Sequence, residues 1–236
     1  MMKVKMLGTG NAFSRRRNNT CFLVEAGQAY LVDCPKNVLK VFYAAQVEPS
    51  EVNDVIITHL HPDHYGDFET LAMYKRYVEK RKFNVITTRE IYEGLKEKAK
   101  HSLLDSGQPA EMVDGFFDFI EVEPDAPYGC GGTRISVRKN VHAVPTVGVK
   151  IERDGRSLGY SGDTVYDAEL IEGFLQHADL ILHEVGDRKN IGVHTDLEEL
   201  EGLPEDVRAK LVLVHLPDNG VKTALRQAKD YEVFEV

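Results

Sequence analysis

Residues 58–67 read THLHPDHYGD, three histidines and two aspartates around a proline. His59 and His61 are two apart and follow the apolar run VIIT. In an extended backbone both imidazoles therefore face the same side. Pro62 disfavours helix at His61 and keeps the pair extended. Asp63 and His64 follow at once, where the chain turns into the next helix, and can address a second point close by. Neutral imidazoles and carboxylates are a borderline-soft donor set that suits Zn²⁺, and Mn²⁺ or Fe²⁺ fit it as well. The segment thus offers a histidine pair to one cation and an Asp/His pair to another.

A metal site needs further ligands from strand ends at the same edge. His142 follows RISVRK in NVHAVP, Asp163 follows SLGY in YSGDT, and His215 ends KLVLVHLP. Singly, each reads as a half-buried histidine or as an aspartate capping a helix. Their shared placement after strands, in a chain carrying HxHxDH, makes them a set. Asp33 ends the strand-like AYLVDC. There it either orients a ligand histidine or forms the turn.

Apolar runs bounded by turn residues predict the elements that must bring these positions together. Strands are expected at 4–7, 21–26, 29–34, 54–58, 84–88, 119–123, 134–139, 147–153, 157–162, 178–184 and 210–216. EAGQAY reads as a hairpin turn between the second and third. Helical spacing predicts helices over 36–45, 68–80, 89–104, 168–177 and 222–229, with a further one at TDLEEL that Thr195 would cap. DVIIT, LILHE and LVLVHL are apolar on both faces, as in sheet interiors covered by helices. Two packed sheets with helices outside follow. No linker or low-complexity tract divides the 236 residues, which read as a single domain.

Composition, at 42% hydrophobic and 28% charged, is that of a globular chain with a sizeable core. A net charge of −9 disfavours polyanions, so nucleic-acid binding would need a local patch. Two basic stretches exist: SRRRNN at 14–19, and residues 75–100 with nine Lys or Arg against four Glu. The second reads as solvated helix faces laced with opposite charges. Cys21, Cys34 and Cys130 lack CxxC spacing, which excludes a cysteine zinc site and a disulfide framework. The N-terminus has neither a long apolar run nor a cleavage-site pattern, and no 18 consecutive residues are apolar. A cytoplasmic protein with no membrane attachment is expected.

As a set, THLHPDH, VHAVP, YSGDT and LVLVHL resemble the metallo-β-lactamase fold superfamily in order and spacing, across nearly the whole chain. The resemblance implies a four-layer αββα sandwich of two mixed sheets, an α/β (α+β) fold with the metal site at one edge. It implies His59, His61 and His142 on one cation, Asp63, His64 and His215 on the second, and Asp163 bridging them. Two cations about 3.5–4 Å apart can hold a bridging hydroxide and clamp the attacking and leaving oxygens of an in-line displacement. Asp63 is thereby both ligand and catalytic residue.

LGTGNAFSRRRNNT, with its Arg17-Asn18 pair, and HAVPTVGVKI resemble the ribonuclease Z-like phosphodiesterase branch. His183-Glu184 in ILHEVG and GVHTD resemble that branch's later motifs, which implies that His194 gives a proton to the leaving alkoxide while Glu184 holds it and His183 supports the site from behind. From the residues alone, His194 reads equally as a solvent-facing residue before a helix. The tRNA-processing members carry a long arm between the equivalents of His142 and Asp163, where this chain has twenty residues. A small phosphodiester, a cyclic nucleotide or short oligonucleotide, is therefore the expected substrate, with long structured RNA disfavoured. A lactone, thioester or other carbon ester, a tRNA 3′-end substrate and a non-catalytic binding role are the alternatives. A homodimer is implied by analogy alone.

Overall fold

The computed structural model describes residues 1–103, 110–186 and 192–236. Its first sheet begins with the predicted hairpin. β1 (Lys3–Gly8), β2 (Cys21–Glu25) and β3 (Ala29–Val32) run antiparallel, and β4 (Asp54–Ile56), β5 (Phe83–Thr87) and β6 (Phe117–Glu121) continue in parallel. The second sheet repeats the plan. β7 (Tyr128–Cys130), β8 (Thr133–Lys139), β9 (Val147–Arg153) and β10 (Arg156–Tyr160) are antiparallel, and β11 (Leu180–Glu184), β12 (Leu211–Val214) and β13 (Arg226–Gln227) are parallel. The last strand, β14 (Val233–Glu235), returns to pair antiparallel with β1. Both sheets are seven-stranded and mixed.

Helices α1 (Val38–Ala45), α2 (Pro62–Tyr65), α3 (Phe68–Tyr77) and α4 (Arg89–Ala99) belong to the first half. To the second belong α5 (Ala168–Leu170), which continues as a π-helical turn Ile171–Leu175, α6 (Leu197–Glu201) and α7 (Glu205–Arg208). Strand alternation divides the core. Leu180, Leu182, Val212 and Val214 join the large cluster between the sheets, with Val4, Phe22 and Val55. Ile181, Leu211 and Leu213 point the other way, onto Leu175, Leu200 and Val207 of the outer helices. Four layers in the order αββα result.

Most predicted elements lie within a few residues of the observed ones. The exception is the helix expected over 222–229. Residues 226–227 pair with β12 instead, Ala228 N donates to Leu213 O, and the Gln227 side chain bonds both N and O of Val221. Edge pairing there overrides a sequence of good helix formers. The 89–104 helix stops at Ala99, and Leu104 lies outside the described residues. Among the described residues no helix is long and apolar enough to cross a membrane.

Candidate metal centre

All seven expected ligands converge at one edge of the sandwich. His59 and His61 stand on the extended stretch after β4, and Pro62 at the first position of α2 turns Asp63 and His64 inward. From the second sheet come His142 after β8, Asp163 after β10 and His215 after β12. Asp163 needs a sharp turn before it. Gly162 supplies it at φ 61°, where a Cβ would sit 2.5 Å from Val147 O.

His59 Nε2 lies 3.7 Å from Asp163 Oδ2, and His142 Nε2 lies 3.2 Å from His61 Nδ1. One donor atom from each of these four lies within 4.8 Å of the others. Asp63, His64 and His215 form a second such group: Asp63 Oδ2 is 3.4 Å from His64 Nε2 and 3.3 Å from His215 Nε2. Asp163 faces both groups, with Oδ1 3.4 Å from His64 and Oδ2 3.5 Å from His215.

Three buried atoms at the centre, His59 Nε2, His64 Nε2 and Asp163 Oδ1, have no hydrogen-bond partner. Buried polar atoms left so cost about 1–3 kcal/mol each, which cations among them would recover. At the first group and at the two carboxylates the charge state suits binding too. Burial pushes the pKa of His59, His61 and His142 down, keeping the imidazoles neutral. Burial works to raise Asp63 and Asp163, but neighbouring histidines outweigh it and hold both below the usual carboxylate range. At His64, burial opposes charge and is outweighed by Asp163 and Asp33, so positive charge is favoured there. Five imidazoles and two carboxylates in two groups fit a dinuclear metal site.

The far side of each ring is held. Asp33 Oδ2 accepts from His64 Nδ1 at 2.8 Å, while Thr58 N and Oγ1 donate to the same carboxylate. Asp33 is fully buried with φ 61°, so it is both the turn residue and the partner of His64. Thr58 Oγ1 is also 3.1 Å from His59 Nδ1, and His142 Nδ1 donates to Val193 O at 2.7 Å. Such contacts fix which nitrogen faces the metal. Sequence reasoning missed Thr58. Its place directly before the first candidate ligand, at the end of the apolar run DVIIT, is the signal available for it.

Glu184, at the end of β11, accepts from Thr164 N and Thr195 N through Oε1. Its Oε2 lies 3.2 Å from His194 Nδ1, although neither atom completes a hydrogen bond. The His194 side chain is 18% exposed, too enclosed for a solvent-facing residue. Burial pushes Glu184 up, and at His194 the nearby Glu184 outweighs burial and raises the imidazole pKa. Thr195 does not cap the helix. Its N–H and hydroxyl are drawn to Glu184 and to Thr164 O, and Asp196 caps α6 with Glu199 in a capping box. His183 shares the outward face of β11 with Ile181. Its Nδ1 donates to Glu184 O, and burial lowers its pKa to about 4.

Several residues of both basic stretches make structural contacts. Arg17 donates to Thr9 and Ala228 O, Asn18 donates to Leu7 O and Asp230, and Arg15 and Arg16 N–H groups donate to Asp218. In 75–100, Lys82 pairs with Asp118, Arg89 with Glu121, Lys96 with Asp114 and Lys100 with Glu97.

A dinuclear His/Asp centre at the edge of an αββα sandwich defines a protein of the metallo-β-lactamase fold superfamily. The structure of the metallo-β-lactamase fold protein YhfI from Bacillus subtilis superposes with TM-score 0.80 at 23% identity, covering 99% of this chain and 98% of that one. Human tRNase Z, short form, does so with TM-score 0.75 at 19% identity, over 99% and 98%. The family described as Anti-Pycsar protein Apyc1 matches residues 2–234, and the chain belongs to it. The member from Bacillus phage 010DV004 is 30% identical over 234 residues, 92% of this chain and 90% of that protein. The cGMP-dependent 3′,5′-cGMP phosphodiesterase A of Dictyostelium discoideum is 26% identical over 234 residues, which span 92% of this chain and 26% of that longer protein.

Proposed function

We propose that the protein is a dinuclear zinc phosphodiesterase that opens nucleoside 3′,5′-cyclic phosphates. The observation that carries this reading is the pair of His/Asp groups joined at Asp163, with His194 and Glu184 beside them. His59, His61 and His142 would hold one cation, Asp63, His64 and His215 the other, and Asp163 both. When bound, the cations supply Lewis acidity toward the phosphate and lower the pKa of the attacking water.

The reaction adds water across one P–O bond. Water oxygen attacks phosphorus, the bond to a ribose oxygen breaks, and a nucleoside monophosphate forms. The departing oxygen needs a proton, which His194 donates. Glu184, 3.2 Å from His194 Nδ1, steadies the ring for that transfer. Asp33 and Thr58 position His64 and His59, while His183 supports β11 from its outer face. The cyclic-nucleotide substrate is supported by the Dictyostelium relative and by the short β9–β10 connection between His142 and Asp163, which leaves no arm for tRNA.

The test is metal analysis of the purified protein coupled to a substrate panel. Two zinc equivalents and turnover of nucleoside 3′,5′-cyclic phosphates are expected. Turnover confined to lactones or thioesters would overturn the reading.

A further inference from the structure

Three histidines of the centre are oriented from behind: His64 by Asp33, His59 by Thr58 and His142 by Val193 O. The shared carboxylate is not. Among the described residues, every ion-pair partner of Asp163 is a histidine of the centre, His59, His64, His142, His194 or His215, and its Oδ1 has no hydrogen bond. Where that carboxylate stands between the two groups is therefore decided by its main chain.

The main chain there is gripped by a residue outside the ligand set. Asn140 directly follows β8, and its Nδ2 donates to Ser161 O at 2.6 Å and to Asp163 O at 3.2 Å. One amide thus holds both carbonyls that flank Gly162. Its Oδ1 accepts from Gly148 N at 3.2 Å, so the carboxamide is engaged at both ends and has one orientation. To reach the end of β10 from β8 the side chain crosses β9 at Gly148, where a Cβ would stand 3.0 Å from Ser161 O. The same residue closes the loop that bears His142, since Asn140 N donates to Thr146 O. One position further on, Val165 N donates to Val141 O.

We infer that Asn140 is the positioning residue for the shared carboxylate, and through it for both cations at once; the inference rests on the dinuclear reading proposed above. Its clasp on the 161–163 turn fixes the place of Asp163 between the two groups. Loss of the clasp weakens both metal positions together, unlike loss of Asp33, which orients His64.

The experiment compares wild type with Asn140→Ala and Asn140→Asp. The aspartate keeps an acceptor for Gly148 N and nearly the same volume but, ionised, donates to neither carbonyl. Its added negative charge would by itself favour cations, so a fall in affinity traces to the lost donors. Zinc competition with a chromophoric chelator resolves the two dissociation constants, and thermal unfolding is followed at one fixed free zinc concentration and in excess chelator. Both constants should rise roughly tenfold or more in each variant, and the unfolding temperature should fall further with zinc than with chelator. Asn140→Ala carries the test if the aspartate variant fails to fold. A rise in one constant only, or unchanged constants with equal losses of unfolding temperature in both conditions, overturns the inference. Fewer than two zinc equivalents on wild type overturns the dinuclear reading and the inference together, whereas two equivalents without turnover of cyclic nucleotides overturns the proposed substrate alone.

Discussion

Asp33 contacts His64 and His194 stands against Asp163 and Glu184, so their substitutions should read out differently. His194→Ala removes the proton donor. It should lower kcat about 10²- to 10⁴-fold for substrates with alkoxide leaving groups. A p-nitrophenolate diester, whose leaving group needs no proton, should lose far less, as initial rates on the two substrates will show. Asp33→Ala frees His64 Nδ1 from its 2.8 Å contact. Affinity for one of the two cations should fall about 10- to 100-fold in a chelator competition, with the other site little changed. Asp63→Asn should abolish turnover of both substrate types while far-UV circular dichroism stays native, because Asp63 touches two histidines of one cluster and is no part of the core.

At the scale of elements, the loop between β1 and β2 is tied down by Asp230, which accepts from Thr9 Oγ1 and Asn18 N. Asp230→Ala leaves both donors unpaired, and a loss of about 1–3 kcal/mol is expected in urea unfolding. The strands β4, β11 and β12 were legible because runs apolar on both faces have few alternatives at those lengths. So was the convergence of HxHxDH with His142, Asp163 and His215, since donor residue types recur after strands that end at one edge. What stayed hidden depended on distant partners. The 222–229 segment has helix-forming residues but donates its backbone to β12, and β14 becomes a strand only because β1 offers an edge. Thr195 looked like a cap because it precedes a helix, while its N–H is claimed by Glu184, eleven residues earlier.

For the whole molecule, the centre straddles both sheets: four candidate ligands follow strand β4 and three follow strands of the second sheet. Bound cations therefore join the two halves. Removing them with a chelator should lower the unfolding temperature by an amount that grows with the free metal concentration of the reference sample. A scan at a series of buffered zinc concentrations measures it, and an invariant midpoint would contradict the join.

The seven ligands are also spread along the chain, from His59 to His215, and Asp63 meets His215 across 152 residues. A growing polypeptide has four of the candidate ligands by residue 64, gains His142 and Asp163 next, and reaches the last only after all of β12 has been made. Order of synthesis thus becomes order of assembly. The group of His59, His61, His142 and Asp163 is complete in the sequence at residue 163, whereas that of Asp63, His64 and His215 needs β12 and so closes later in synthesis.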